Sequence, residues 1–197
     1  MSNSVDPTVL YIKERITFMP WGILPLILFI LGHGPGSYNF IILYNLLWGV
    51  FFFRVFDDYF CFDYDLSFKK SPYLLKGKQY IVKLMCVFGF LYLSSQIMIH
   101  SMTDTILVFA VIFLSLLFYI FLKMKKWIVL VSLLKYPLLL FITASYSGET
   151  NFLWISLGCF FFIGRELVEE FYGKRNKQFE VILILLITST KLILRFI

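Results

Sequence analysis

Charge is scarce in this sequence. Asp, Glu, Lys and Arg make up 15% of its 197 residues, against about 25% in an ordinary globular domain. Hydrophobic residues make up 60%, and the mean hydropathy is +0.84, so lipid rather than water is the expected solvent. Cysteine and histidine are few. The three cysteines, Cys61, Cys86 and Cys159, lie in or beside apolar runs, and no CxxC pair occurs. An odd count without such a pair argues against a disulfide framework or a zinc site. No strand-forming RNA-binding signature and no basic helix are present, so the formal charge of +6 does not point to nucleic acid. No small-residue cleavage site follows a short apolar core near the N-terminus, and MSNSVDPTVLYIKERITF reads as retained. Internal repeats and low-complexity linkers are absent, so 1–197 reads as one domain.

What is there is a series of apolar runs, one roughly every 25 residues. They predict an all-α fold, a polytopic transmembrane helical bundle of about seven spans. The spans run from Thr17 to Leu31, Asn39 to Phe56, Tyr80 to Ile99, Thr105 to Leu122, Trp127 to Tyr146, Phe152 to Gly164 and Phe179 to Ile197. The first is short and carries Pro20 and Pro25, which predict a kink. Cations fall in alternate loops: Lys13 and Arg15; Lys69, Lys70, Lys76 and Lys78; Lys123, Lys125 and Lys126; Lys174, Arg175 and Lys177. The intervening loops hold His33, His100, Asp104 and Glu149 but neither Lys nor Arg. The positive-inside rule then places the cation-bearing loops in the cytoplasm of a multi-pass membrane protein.

Against this background two acidic stretches stand out, and topology puts both on the cytoplasmic side. The second span ends in RVFDDYFCFDYD, with Arg54, Asp57, Asp58, Asp63 and Asp65. The sixth runs into GRELVEEFYGKR, with Arg165, Glu166, Glu169 and Glu170. A charge at mid-bilayer costs roughly 2.5 kcal/mol or more, so acids at a membrane edge are functional candidates. If the second span continues as a helix, Asp58, Cys61 and Asp65 share a face, as do Glu166 and Glu170 in the second stretch. Glu169 sits about 100° round from Glu170. Oxygen ligands without His or thiolate partners suit Mg²⁺ or Mn²⁺. Phosphate completes such a shell, and Arg54, Lys69, Lys70 and Arg165 stand near enough in sequence to meet it. The bland alternative is that the acids flank membrane helices and face water.

The two stretches together resemble the paired motifs of the UbiA superfamily of intramembrane prenyltransferases. FRVFDDYFCFDYD stands in the place of the N/D-D-x-x-D-x-x-x-D-type motif after the second helix. GRELVEEFYGKR supplies E-x-x-x-E where the family has a D-x-x-x-D-type motif after the sixth, and SPYLLKG resembles the segment that follows the first motif. Two departures are visible: Cys61 occupies the third acid position, with Asp63 close by, and the chain is shorter than the family's larger bundle. The resemblance implies Mg²⁺ held by Asp57, Asp58, Asp65, Glu166 and Glu170, with Asp63, in place of Cys61, and Glu169 as further metal ligands. It implies an isoprenoid diphosphate as donor, a lipophilic acceptor, leaving-group contacts from Arg54, Lys69, Lys70 and Arg165, and a second copy as a source of missing chamber wall.

A few other residues are conspicuous. Lys135 lies about 12 Å into the fifth span, where it can pair with an acid, meet diphosphate or snorkel. Asn45 and Gln96 can line a substrate chamber or hydrogen-bond between helices. Lys191 has no evident partner, and His33 and His100 fall away from the acids. Other classes remain open: a terpene cyclase of the same type, a non-catalytic membrane partner, or a small cation-coupled transporter, whose ionisable groups should lie near mid-membrane. The D-G-x-x-A-R pattern of CDP-alcohol phosphotransferases is absent.

Overall fold

The computed structural model describes residues 6–13, 23–33, 39–63, 66, 76–99, 105–106, 109–110, 113, 117, 135–144, 152–172 and 177–196. For 7, 10, 152, 165–172, 177–181 and 195–196 it describes the backbone alone. Among the described residues the fold is all-helical, without a strand. The helices are α1 (Pro7–Tyr11), α2 (Leu24–Gly32), α3 (Phe40–Phe60), α4 (Lys78–Ile99), α5 (Lys135–Ala144), α6 (Phe152–Tyr172) and α7 (Lys177–Phe196). Most of the predicted fourth span lies outside the described residues.

Local chemistry sets the helix ends. Asp6 caps α1 by accepting the Thr8 N–H at 2.7 Å, which holds its carboxyl below the usual range, and Pro7 occupies the first turn. Pro25 likewise sits in the first turn of α2, where its missing N–H costs nothing. It starts the helix instead of kinking it, which corrects the expectation of a kink at that proline. Asn39 caps α3 by accepting the Ile41 N–H at 3.0 Å. At the other end Cys61 closes α3, its N–H donating to the Asp57 carbonyl at 2.8 Å. The helix therefore runs through Asp57 and Asp58 but stops before Asp65. The continuous helical face expected from Asp58 to Asp65 is interrupted at Cys61, whose φ of −89° and ψ of 3° leave the helical region.

α3 and α4 form an antiparallel pair. Their close approaches climb one helix as they descend the other: Asn45 meets Ser95 and Gln96, Gly49 faces Tyr92, and Phe52 packs on Gly89. Trp48 stacks on Phe88 with centroids 5.9 Å apart, and Phe52 on Tyr92 at 6.0 Å. Both helices are long and apolar enough to cross a membrane. The 21 residues of α3 span about 32 Å, the thickness of a hydrocarbon core.

The outward faces of these helices are apolar as well. Phe40, Ile41, Phe90, Ile97 and Met98 are exposed on α3 and α4, and Ile182, Leu186, Ile193 and Leu194 on α7. α7 turns Ile184, Thr188 and Lys191 inward, at i, i+4 and i+7. Helices that are apolar all round suit lipid, where close packing rather than water exclusion holds the bundle together. Glycines permit that packing. A Cβ on Gly32 would lie 2.8 Å from the Thr143 Cβ, so α2 and α5 approach closely at that point. α5 is buried along most of its length and sits inside this arrangement.

Candidate functional site

The last two turns of α3 carry Arg54, Asp57 and Asp58. Successive residues on a helix diverge by about 100°, so the two carboxylates take different partners. Asp57 points towards α5, where its Oδ2 accepts from the ammonium of Lys135. Asp58 turns back along its own helix, with Oδ1 at 3.4 Å from the Arg54 guanidinium one turn earlier. Its Oδ2 accepts from the hydroxyl of Tyr11 in α1, at 2.7 Å. Tyr11, Asp58 and Lys135 are buried, at 0%, 3% and 6% exposure, while the Asp57 and Arg54 side chains keep 16% and 18%. The cluster joins three helices separated in sequence by 47 and 78 residues.

Two cations and two carboxylates make the cluster formally neutral. That is the condition under which charges persist in an apolar interior, since an isolated one costs several kcal/mol there. Lys135 also lies 5.1 Å from the Tyr136 ring centroid, and Tyr136 packs against Phe162 of α6 with centroids 5.4 Å apart. An aromatic wall thus adjoins the ammonium. Of the fates open to Lys135, the structure gives it an acid partner.

The other predicted site residues distribute as follows. Asp63 is not part of the cluster: its side chain is 83% exposed and lies 3.6 Å from Lys78. Asn45 stands 12 residues before Asp57, about 18 Å along α3. There it donates to the Ser95 hydroxyl at 2.7 Å and accepts from the Gln96 amide at 3.0 Å, while Ser95 donates to the Tyr92 carbonyl at 2.7 Å. Asn45 and Gln96 are therefore joined between helices. Arg165, Glu166, Glu169 and Glu170 fall on α6, with side chains outside the described set. Asp65, Lys69 and Lys70 lie outside the described residues altogether.

Lys191 has partners at the opposite end of α2. Its ammonium donates to the carbonyls of Leu31 at 2.6 Å and His33 at 3.1 Å. These close a helix C-terminus, where the backbone dipole favours a cation. His33 accepts the Asn39 N–H at its Nε2, 3.3 Å away, which ties the end of α2 to the start of α3.

Sequence reasoning missed Tyr11, whose partner lies far along the chain. The Asp-Pro pair at 6–7 is a helix-start signal and was the one available hint that this segment is ordered. Ser95 was missed for want of any pattern around it.

The donors described here are hard oxygens from two carboxylates and a phenol, a donor type that fits Mg²⁺ or Mn²⁺. Asp58 has an oxygen engaged by each neighbour, whereas Lys135 holds Asp57 through Oδ2. Within the cluster, Asp57 is thus the carboxylate with one oxygen outside these contacts. Among the described residues no three acids, histidines or cysteines gather as an ion site. Comparisons with family models, curated proteins and solved structures find no match to this chain.

Proposed function

We propose that this chain is a Mg²⁺-dependent intramembrane prenyltransferase, a UbiA-like bundle of about seven spans with its acidic motifs on the cytoplasmic side. One observation supports the proposal: ionisable residues of three helices converge at the end of α3, inside a largely apolar set of helices. Such a convergence is expensive in lipid and marks a functional site by default.

The donor is an isoprenoid diphosphate. Lys135 and Arg54 receive its phosphates, with Lys69, Lys70 and Arg165 adding positive charge from the neighbouring segments. Asp57, Glu166 and Glu170 would hold the metal, with Asp65 and Glu169 as further candidate acids in the same two stretches. When bound, Mg²⁺ neutralises charge developing on the departing diphosphate. Asp58 orients Arg54 and is itself oriented by Tyr11. The allylic C–O bond breaks with its electron pair leaving on the diphosphate. The acceptor's nucleophilic atom then bonds to the allylic carbon and gives up its proton to the released diphosphate. The apolar surroundings keep water from the allylic cation.

Purified protein with Mg²⁺ and isoprenoid diphosphates of several lengths tests the proposal, with diphosphate release as the readout. Asp57→Asn and Glu170→Gln should each lower transfer by about 10²-fold. Release that needs no acceptor would identify a cyclase or hydrolase. An inert wild-type protein would refute the proposal and favour a non-catalytic membrane partner, a reading that the internally paired Asp58 also suits.

A further inference from the structure

We infer that the outward face of α4 is a binding site for an acidic phospholipid. Lys76 and Lys83 hold the lipid phosphate, and its acyl chains lie along Val87, Phe90 and Ile97. The inference rests on the membrane placement within the proposed function and not on its transfer chemistry.

The residues of α4 divide between two faces. Ile81, Leu84, Phe88 and Tyr92 are buried. On the other side Gln79, Lys83, Val87, Phe90 and Ile97 are exposed. These five stand at i, i+4, i+8, i+11 and i+18, which is one helical face. The stripe is cationic at its start and apolar beyond it, since no charged residue follows Lys83 as far as Ile99. From Lys83 to Ile97 it runs about 21 Å. One leaflet of hydrocarbon is about 15 Å deep, so an acyl chain can follow the stripe through it.

Charge decides which lipid fits. Lys76, Lys78 and Lys83 gather at the N-terminal end of α4, and the first turn holds no acid. The helix dipole is positive at that end, so a counter-anion is favoured there. Asp63 supplies one to Lys78 at 3.6 Å, and the Tyr59 ring centroid lies 4.8 Å from the same ammonium. No described acid pairs with Lys76 or Lys83. Lys83 stands about 7.5 Å along the helix from Lys78. Helical side chains lean towards the N-terminus, so its long stem leads the ammonium back to headgroup level. The positive-inside rule puts this end at the cytoplasmic leaflet, which carries the acidic lipids. A zwitterionic headgroup brings its own cation, whereas an acidic one leaves a net negative charge for the two lysines.

The test uses the full chain in neutral detergent with equal amounts of dioleoylphosphatidylglycerol and dioleoylphosphatidylcholine. Native mass spectrometry counts the bound lipids. A lysine near the surface is worth about 5-fold, so the wild type should favour the acidic lipid by about 25-fold. Lys83→Gln and Lys76→Gln should each lower that preference about 5-fold, and Lys83→Arg should keep it. Both lysines are exposed, so all three variants should melt with the wild type. Equal retention of the two lipids overturns the proposal, as does a preference that survives the double replacement. Displacement of the lipid by an equal concentration of inorganic phosphate also overturns it, because the site would then take a soluble anion. These outcomes leave diphosphate release, and the transferase reading with it, untouched. A chain that stays monomeric in water without detergent overturns the membrane placement and both readings together.

Discussion

Breaking the Asp57–Lys135 pair should cost far more than removing it. At an effective dielectric of about 20, unit charges about 4 Å apart attract by about 4 kcal/mol. Lys135 is 6% exposed and Asp57 16%, so solvent screens the pair only slightly. Lys135→Met leaves a carboxylate buried without its cation, and Asp57→Asn leaves an ammonium without its anion. Each should lower stability by about 3–5 kcal/mol. For a chain of this length one kcal/mol shifts Tm by about 2–4 °C, so each single variant should melt on the order of 10 °C below wild type. The double variant buries neither charge and should lie within about 1 kcal/mol of wild type. The assay is thermal unfolding in detergent followed by tryptophan fluorescence, with the four proteins arranged as a double-mutant cycle. Additive losses, with the double variant the least stable of the four, would refute the reasoning. So would single variants that melt with the wild type, since the pair would then be hydrated.

Two further perturbations probe how the pair is positioned and packed. Tyr11→Phe removes a hydrogen bond to a buried carboxylate and should cost about 1.5–3 kcal/mol by the same unfolding measurement. Gly32→Ala places a Cβ 2.8 Å from the Thr143 Cβ and 3.1 Å from the Leu140 carbonyl, and should cost about 1–3 kcal/mol by overpacking. Gly164→Ala is its control: nothing lies within 4 Å of that Cβ, and the helix interior should gain up to about 1 kcal/mol.

The helices were legible because apolar runs bounded by polar loops report their own length. The predicted Asn39-to-Phe56 and Tyr80-to-Ile99 spans match α3 and α4 closely at their starts, where Asn39 caps one and the left-handed Gly77 precedes the other. At its far end α3 runs four residues beyond the predicted boundary, because Asp57 and Asp58 find partners and need not leave the helix for water. Hydropathy alone cannot see that compensation. Lys135 was recognisable as a residue in need of a partner, but an acid, a ligand and the membrane surface all satisfy the same charge. Which acid answers it depends on helix rotation, and two adjacent aspartates offer directions about 100° apart. Tyr11 is a harder case. A phenol announces no need for a partner, and nothing local links it to a residue 47 positions away.

The two buried lysines show why the end of α3 is the better candidate for chemistry. Both are almost fully covered, at 6% exposure, and a composition-based reading ranks them alike. Lys191 donates to carbonyls at the end of α2, whose positions are set by the helix they terminate. A carbonyl has no net charge, so a cation that replaces the ammonium there gains only a dipole. Lys135 faces the full negative charge of Asp57, the carboxylate to which the proposed function assigns the metal. Replacing each lysine by methionine therefore separates a helix-end contact from a charge pair with an acid. Both changes should lower Tm, but only Lys135→Met should alter Mg²⁺ affinity. Equal effects of the two on Mg²⁺ binding would mean that the helix-end lysine and the acid-paired lysine are doing the same work, and the site would have to be sought elsewhere.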